Sequence, residues 1–140
     1  MRAMFKTILF PVDQSREARE AAGLVAKIVQ QYGSRLILLS VLEESDPEQA
    51  APNPETMMSP EVVAELLKEA QAVFAQQGID SETLTREGMP AFTICDVADE
   101  LGADLIVMGC RGLGLTEEGA AESVTNRVIN LSPCPVLIVP

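Results

Sequence analysis

Two stretches of this chain carry residues whose types and spacing suit chemistry, and they lie far apart in sequence. The first is Pro11-Val12-Asp13-Gln14-Ser15, where an apolar run stops at a carboxylate and a hydroxyl. Taken alone it reads as a helix N-cap, with Asp13 or Ser15 accepting hydrogen bonds from free backbone N–H groups. The second is Met108-Gly109-Cys110-Arg111-Gly112-Leu113-Gly114, which runs on to Glu122-Ser123-Val124-Thr125. A strand that ends in glycines ahead of a helix is a phosphate-binding device. Glycine lets the backbone approach the anion, and the loop and helix N–H groups point at it. The same Gly-x-x-Gly spacing also occurs in ordinary strand-to-helix turns, so both readings stand at this point.

Other chemistry is excluded by what is missing. The chain has no His, which removes the commonest general base near neutral pH and the commonest metal ligand. Cys95, Cys110 and Cys134 are too dispersed for a Cys-x-x-Cys site or a disulfide scaffold, and read as buried or half-buried small apolar residues, with Cys110 set apart because it sits in the glycine loop assigned to the ligand. The net charge is −11 with no basic run, so nucleic acid and anionic lipid surfaces are poor partners. No stretch approaches the ~18 apolar residues of a membrane span, and the first residues lack a cleavage-site pattern, so a cytoplasmic location is expected.

The elements that position the two motifs follow from periodicity. Phe5–Val12 is a buried strand, and from Arg16 apolar residues recur at helical spacing (Ala18, Ala21, Ala22, Val25, Ile28, Val29, Tyr32) up to Gly33. Arg35–Leu42 is a second buried strand. The segment 43–59, rich in Pro and small residues, reads as a mobile surface loop or lid. Pro60 opens a helix whose apolar face is Val62, Val63, Leu66, Leu67, Ala70, Val73 and Phe74, closed by Gly78. Ile79–Glu87 is an alternating, polar strand. A third helix runs from Pro90 to Gly102 with Ile94, Cys95, Ala98 and Leu101 inward, and Ala103–Met108 is a strongly apolar strand. Ala120–Leu131 reads as a fourth helix and Pro135–Val139 as the last strand.

Strand and helix alternate, so one α/β domain over 1–140 is expected, with a parallel sheet and right-handed crossovers. The polar strand belongs at an edge, and the apolar strands ending at Asp13 and Gly109 belong in the middle. The order 3-2-1-4-5 satisfies both, doubly wound with helices on both faces, and it places the first and fourth strands at the topological switch point where ligands bind. The last strand, PVLIV, then lies uncharged at the other edge. A homodimer through Pro135–Val139 is the expected protection; the alternative is cover by the chain's own N-terminus.

Together these residues resemble the universal stress protein family over nearly the whole chain. ILFPVDQS is similar to the family's strand-one signature, and SPCPVLIVP to its C-terminal strand, which mediates dimerisation in many members. Nucleotide-binding members carry Gly-x2-Gly-x9-Gly-Ser/Thr; here Gly109 and Gly112 match, nine residues follow, Glu122 stands in place of Gly, and Ser123 matches the hydroxyl position. The resemblance implies the 3-2-1-4-5 sheet and an adenine nucleotide in the crevice. By position, Pro11 and Val12 would line the pocket, Asp13 would face the nucleoside and Val41 would flank adenine, with Ser15, Met108 and Glu122 also among the nucleotide-binding residues. Gly109, Arg111, Gly112, Ser123, Val124 and Thr125 would surround ribose and phosphates.

Glu122 sits where phosphates would lie, and Glu117 and Glu118 add to the same charge. AMP or ADP is therefore expected ahead of ATP, with Mg²⁺ able to bridge a di- or triphosphate to the carboxylate. The function implied is a dimeric, nucleotide-binding stress or signalling protein that acts through a protein partner. The alternatives are a nucleotide-free interaction dimer and a slow ATPase; no Lys follows the glycines as in a Walker loop.

Overall fold

Thr7–Pro11 (β1) forms a strand that is buried on both faces, as its unbroken apolar sequence requires. In the computed structural model, which describes residues 5–12, 16–42, 60–109 and 126–139, it is followed by α1 (Arg16–Tyr32), β2 (Arg35–Leu42), α2 (Pro60–Ala75), β3 (Ser81–Glu87), α3 (Pro90–Leu101), β4 (Leu105–Gly109) and β5 (Val136–Val139). A helical segment covers 126–131, ahead of β5; the expected start of that helix at Ala120, like the 43–59 segment, lies outside the described residues.

The five strands are parallel neighbours in the order β3-β2-β1-β4-β5. The polar β3 is an edge strand and the apolar β1 and β4 are interior, so strand composition alone sorted their places. Each face of the sheet has its own core. Ile8, Phe10, Val12, Leu36 and Leu38 pack with Val25 and Val29 of α1 and with Val63, Leu67 and Phe74 of α2. On the opposite face, Leu9, Ile37, Leu39, Ile106 and Met108 pack with Ala91, Ile94, Cys95 and Ala98 of α3 and with Val128. The alternation of odd and even strand residues between these clusters is the period of two expected of a pleated strand.

One expectation is corrected on α2. Val62 and Val73 share its apolar stripe in sequence, yet they are exposed, while Val63, Leu67 and Phe74 are buried. The sheet beneath α2 accepts only the centre of the stripe, leaving its flank to solvent.

Gly88 ends β3 with φ +147, and a Cβ added there would lie 2.6 Å from Thr93 Oγ1. Its N–H donates to Leu42 O at 2.9 Å, tying the turn into α3 to the end of β2. Gly88→Ala is therefore expected to destabilise the fold by about 1–3 kcal/mol, read as a lowered midpoint in urea unfolding. An unchanged midpoint would show that the turn relaxes freely.

Candidate functional site: the crevice at the switch point

The place where β1 and β4 meet is held by a reciprocal clip. Asp104 accepts from the backbone N–H of Thr7 through Oδ2 at 2.9 Å, and the Asp104 N–H donates to Thr7 O at 2.8 Å. From there Ile8 pairs with Leu105 and Leu9 with Ile106. Continued at the same offset, this register sets Val12 level with Gly109. The carboxyl ends of the two interior strands therefore finish side by side.

The neighbouring strand does not stop there. Pro11 pairs with Leu39, and the last rung is Val12 N–H to Leu39 O at 2.8 Å. β2 runs on to Leu42, three residues past that pairing, or roughly 10 Å. β3 rises with it, Leu42 pairing with Glu87. The sheet thus has a step: a floor at the ends of β1 and β4, and a wall made by β2 with β3 behind it.

The wall presents backbone to the crevice. Leu39 O faces β1, because it accepts from Val12, and Leu42 O faces β3, because it accepts from Gly88. Main-chain groups alternate sides along a strand, so the N–H and C=O of Val41 both face the β1 side, above the last rung. A donor and an acceptor side by side on a rigid strand suit a planar ligand edge. The Val41 side chain is half-buried against the α3 core.

Of the residues singled out in sequence, Pro11, Val12, Met108 and Gly109 are brought together at the floor, and Val41 stands on the adjoining wall. Pro11, Val12 and Met108 are buried. Met108 packs into the α3-side core and Val12 into the α1-side core, so both shape the floor from below. Asp13, Ser15, Arg111, Gly112, Glu122, Ser123, Val124 and Thr125 lie outside the described residues. Sequence reasoning passed over Asp104, whose carboxylate secures the switch point. Its signal was an acidic residue just ahead of an otherwise apolar strand. At Val41, expected to flank adenine, the strand directs both peptide groups to the crevice.

Among the described residues no cluster of three or more His, Cys, Asp or Glu is arranged to hold a metal, and no helix is long and apolar enough to cross a membrane. A separate shallow groove of about 230 Å³ lies between α2 and β3, lined by Ala64, Leu67, Lys68, Gln71, Thr83 and Thr85.

An open, doubly wound parallel sheet with a stepped crevice at its switch point defines the class: an α/β protein of the architecture in which ligands generally bind at the carboxyl ends of the strands. The universal stress protein family model matches residues 4–140. Universal stress protein Sll1654 of Synechocystis sp. is 69% identical over 137 residues, covering 98% of this chain and 87% of that protein. Among solved structures, universal stress protein UspA from Lactobacillus plantarum superimposes with a TM-score of 0.80 at 28% identity, covering 99% of this chain and 100% of the other. A universal stress protein solved in complex with cAMP gives a TM-score of 0.78 at 24% identity, with 99% of each chain covered. The chain belongs to the universal stress protein family.

Proposed function

We propose that this chain, folded as one domain over 1–140, binds an adenine nucleotide in the crevice and works as a homodimer whose output passes to a protein partner. The observation that carries the nucleotide reading is the step in the sheet, with the N–H and C=O of Val41 facing the space above Val12 and Gly109. Adenine offers an acceptor at N1 beside a donor at its 6-amino group, which matches that pair. Guanine offers the reverse, so both Val41 groups would be left facing like groups. In the same reading Asp13 faces the ribose, and the N–H groups around Gly109, Gly112 and Ser123 hold a phosphate. Arg111, Val124 and Thr125 complete the surround. The cAMP complex of a fold relative places an adenine nucleotide on this architecture in that protein.

Glu122 sets the phosphate preference. Two unit charges about 4 Å apart at an effective dielectric of ~20 repel by roughly 4 kcal/mol. A triphosphate brings the most charge to that region, so AMP and ADP precede ATP unless Mg²⁺ bridges the anions.

Titration calorimetry with AMP, ADP, ATP and GMP is the test. AMP is expected to bind more tightly than GMP by at least about 30-fold, because two mispaired buried groups cost about 1–3 kcal/mol each. Absence of heat from every adenine nucleotide at millimolar concentration would leave the nucleotide-free interaction dimer as the reading.

The dimer rests on β5. All four of its residues are only half-buried, although Leu137 and Val139 belong to the α1-side core and Val136 and Ile138 to the α3-side core. Ile129 and Leu131, just ahead of it, are 50% and 47% exposed. An uncharged sheet edge with apolar groups at both faces suits a second copy of itself.

A further inference from the structure

β3 pairs with β2 over its whole length, and among the described residues no strand lies beyond it. The Gly88 N–H donates to Leu42 O, so Gly88 faces β2. By alternation the peptide groups of Glu82, Leu84 and Arg86 face β2 as well, and those of Ser81, Thr83, Thr85 and Glu87 face outward. Two side chains already reach for this edge: Gln71 Nε2 donates to Ser81 O at 2.8 Å, and Arg86 Nη1 to Thr85 O at 3.4 Å.

The side chains divide with the same period. Thr83 and Thr85 line the groove beside α2, whereas Leu84 packs toward the α3-side core. Glu82 and Arg86 therefore share the α3 face with Leu84. Glu82 accepts from Arg35 Nη2 at 2.9 Å, and both side chains are about half exposed. Arg86 is held less closely, with Glu100 at 3.9 Å.

We propose that a second copy of this chain pairs antiparallel with β3 across a two-fold axis at Leu84, a contact separate from the β5 edge. Counted outward from Leu84, the strand Ser81–Glu87 is complementary to itself. Leu84 meets the partner's Leu84 as a non-hydrogen-bonded pair, the arrangement that brings side chains closest. The outward N–H and C=O of Thr83 meet those of the partner's Thr85. Glu82 lies opposite the partner's Arg86, which builds an alternating row from Glu100 through Arg86 to the partner's Glu82 and the partner's Arg35. Moving the axis by one residue either way sets Leu84 opposite Glu82 or Arg86, so the charges fix the register. Charged residues on an edge strand ordinarily block pairing; their order here admits one partner in one register. A strand of seven residues buries little area, so the contact is weak and depends on concentration.

The experiment uses the full chain carrying Ile138→Lys, which puts a charge into the β5 edge and leaves β3 unaltered, so its outcome is independent of the β5 dimer. In sedimentation velocity from about 10 µM to about 1 mM, monomer should pass to dimer in the upper part of the range. Adding Glu82→Arg or Arg86→Glu faces like charges across the axis, and each should raise the concentration needed by at least about tenfold. An equimolar mixture of these two variants has opposite charges at both positions again and should associate as the parent does. Thr83→Pro, which removes only an outward N–H, should weaken association likewise and serves should a charge variant fail to fold by circular dichroism. A parent that stays monomeric throughout, single variants that associate as it does, or a mixture that stays monomeric would each overturn the contact.

Discussion

Ile138→Lys is expected to convert the protein from dimer to monomer. In sedimentation at micromolar concentration the unsubstituted chain should run as a dimer, and the variant should need at least about 100-fold more protein to associate, a loss of about 2.7 kcal/mol. The reason lies at the edge of the sheet. β5 pairs on one side with β4, Ile138 opposite Met108, and among the described residues its outer side has no strand partner. A lysine there puts an ammonium into the apolar contact between the two edges. This is the device by which natural edge strands block pairing. Ile138 is half-buried, so the monomer should keep its fold, which circular dichroism checks independently. A monomeric unsubstituted chain would remove the dimer from the proposed function and leave the crevice untouched.

Phe74→Ala is expected to cost about 3–5 kcal/mol of folding stability, against a total of about 5–15 kcal/mol for a domain of this kind. Phe74 is fully buried, and its ring meets Phe10 edge to face, centroids 6.3 Å apart and planes at 88°. With few aromatics in the chain, this pair joins α2 directly to β1, the strand that carries Pro11 and Val12. Its loss leaves a cavity in a core of branched aliphatic side chains, where neighbours are slow to collapse into the space. At a urea dependence of roughly 2 kcal/mol per molar, the midpoint should fall by roughly 2 M. Phe92→Ala, by contrast, should move it by less than a quarter of that, because Phe92 is 47% exposed. Equal shifts for the two variants would mean that burial does not decide stability here.

Much of the architecture was legible because strand composition varies so sharply. The alternation of Ile79–Glu87 marked an edge, and the unbroken apolar runs ending at Asp13 and Gly109 marked the middle. Those two facts leave few orders for five parallel strands, and the observed one is among them. Helix ends were equally local. Gly33, Gly78 and Gly102 all take positive φ just past a helix, where a side chain would be strained. Val62 and Val73 were misplaced because periodicity gives the direction of a stripe and not the width that the opposing surface will cover.

The crevice shows the same division. From the amino acids alone came the element types, the central and edge strands, and the two motifs destined for one end of the sheet, since each depends on residues near one another in the chain. The step between β1 and β2, the Asp104 clip and the direction of the Val41 peptide groups came only with the tertiary structure. Each is a relation between segments 28 or more residues apart, set by strand register. Register follows from how whole faces pack, and a strand's own sequence does not contain the length at which its neighbour stops.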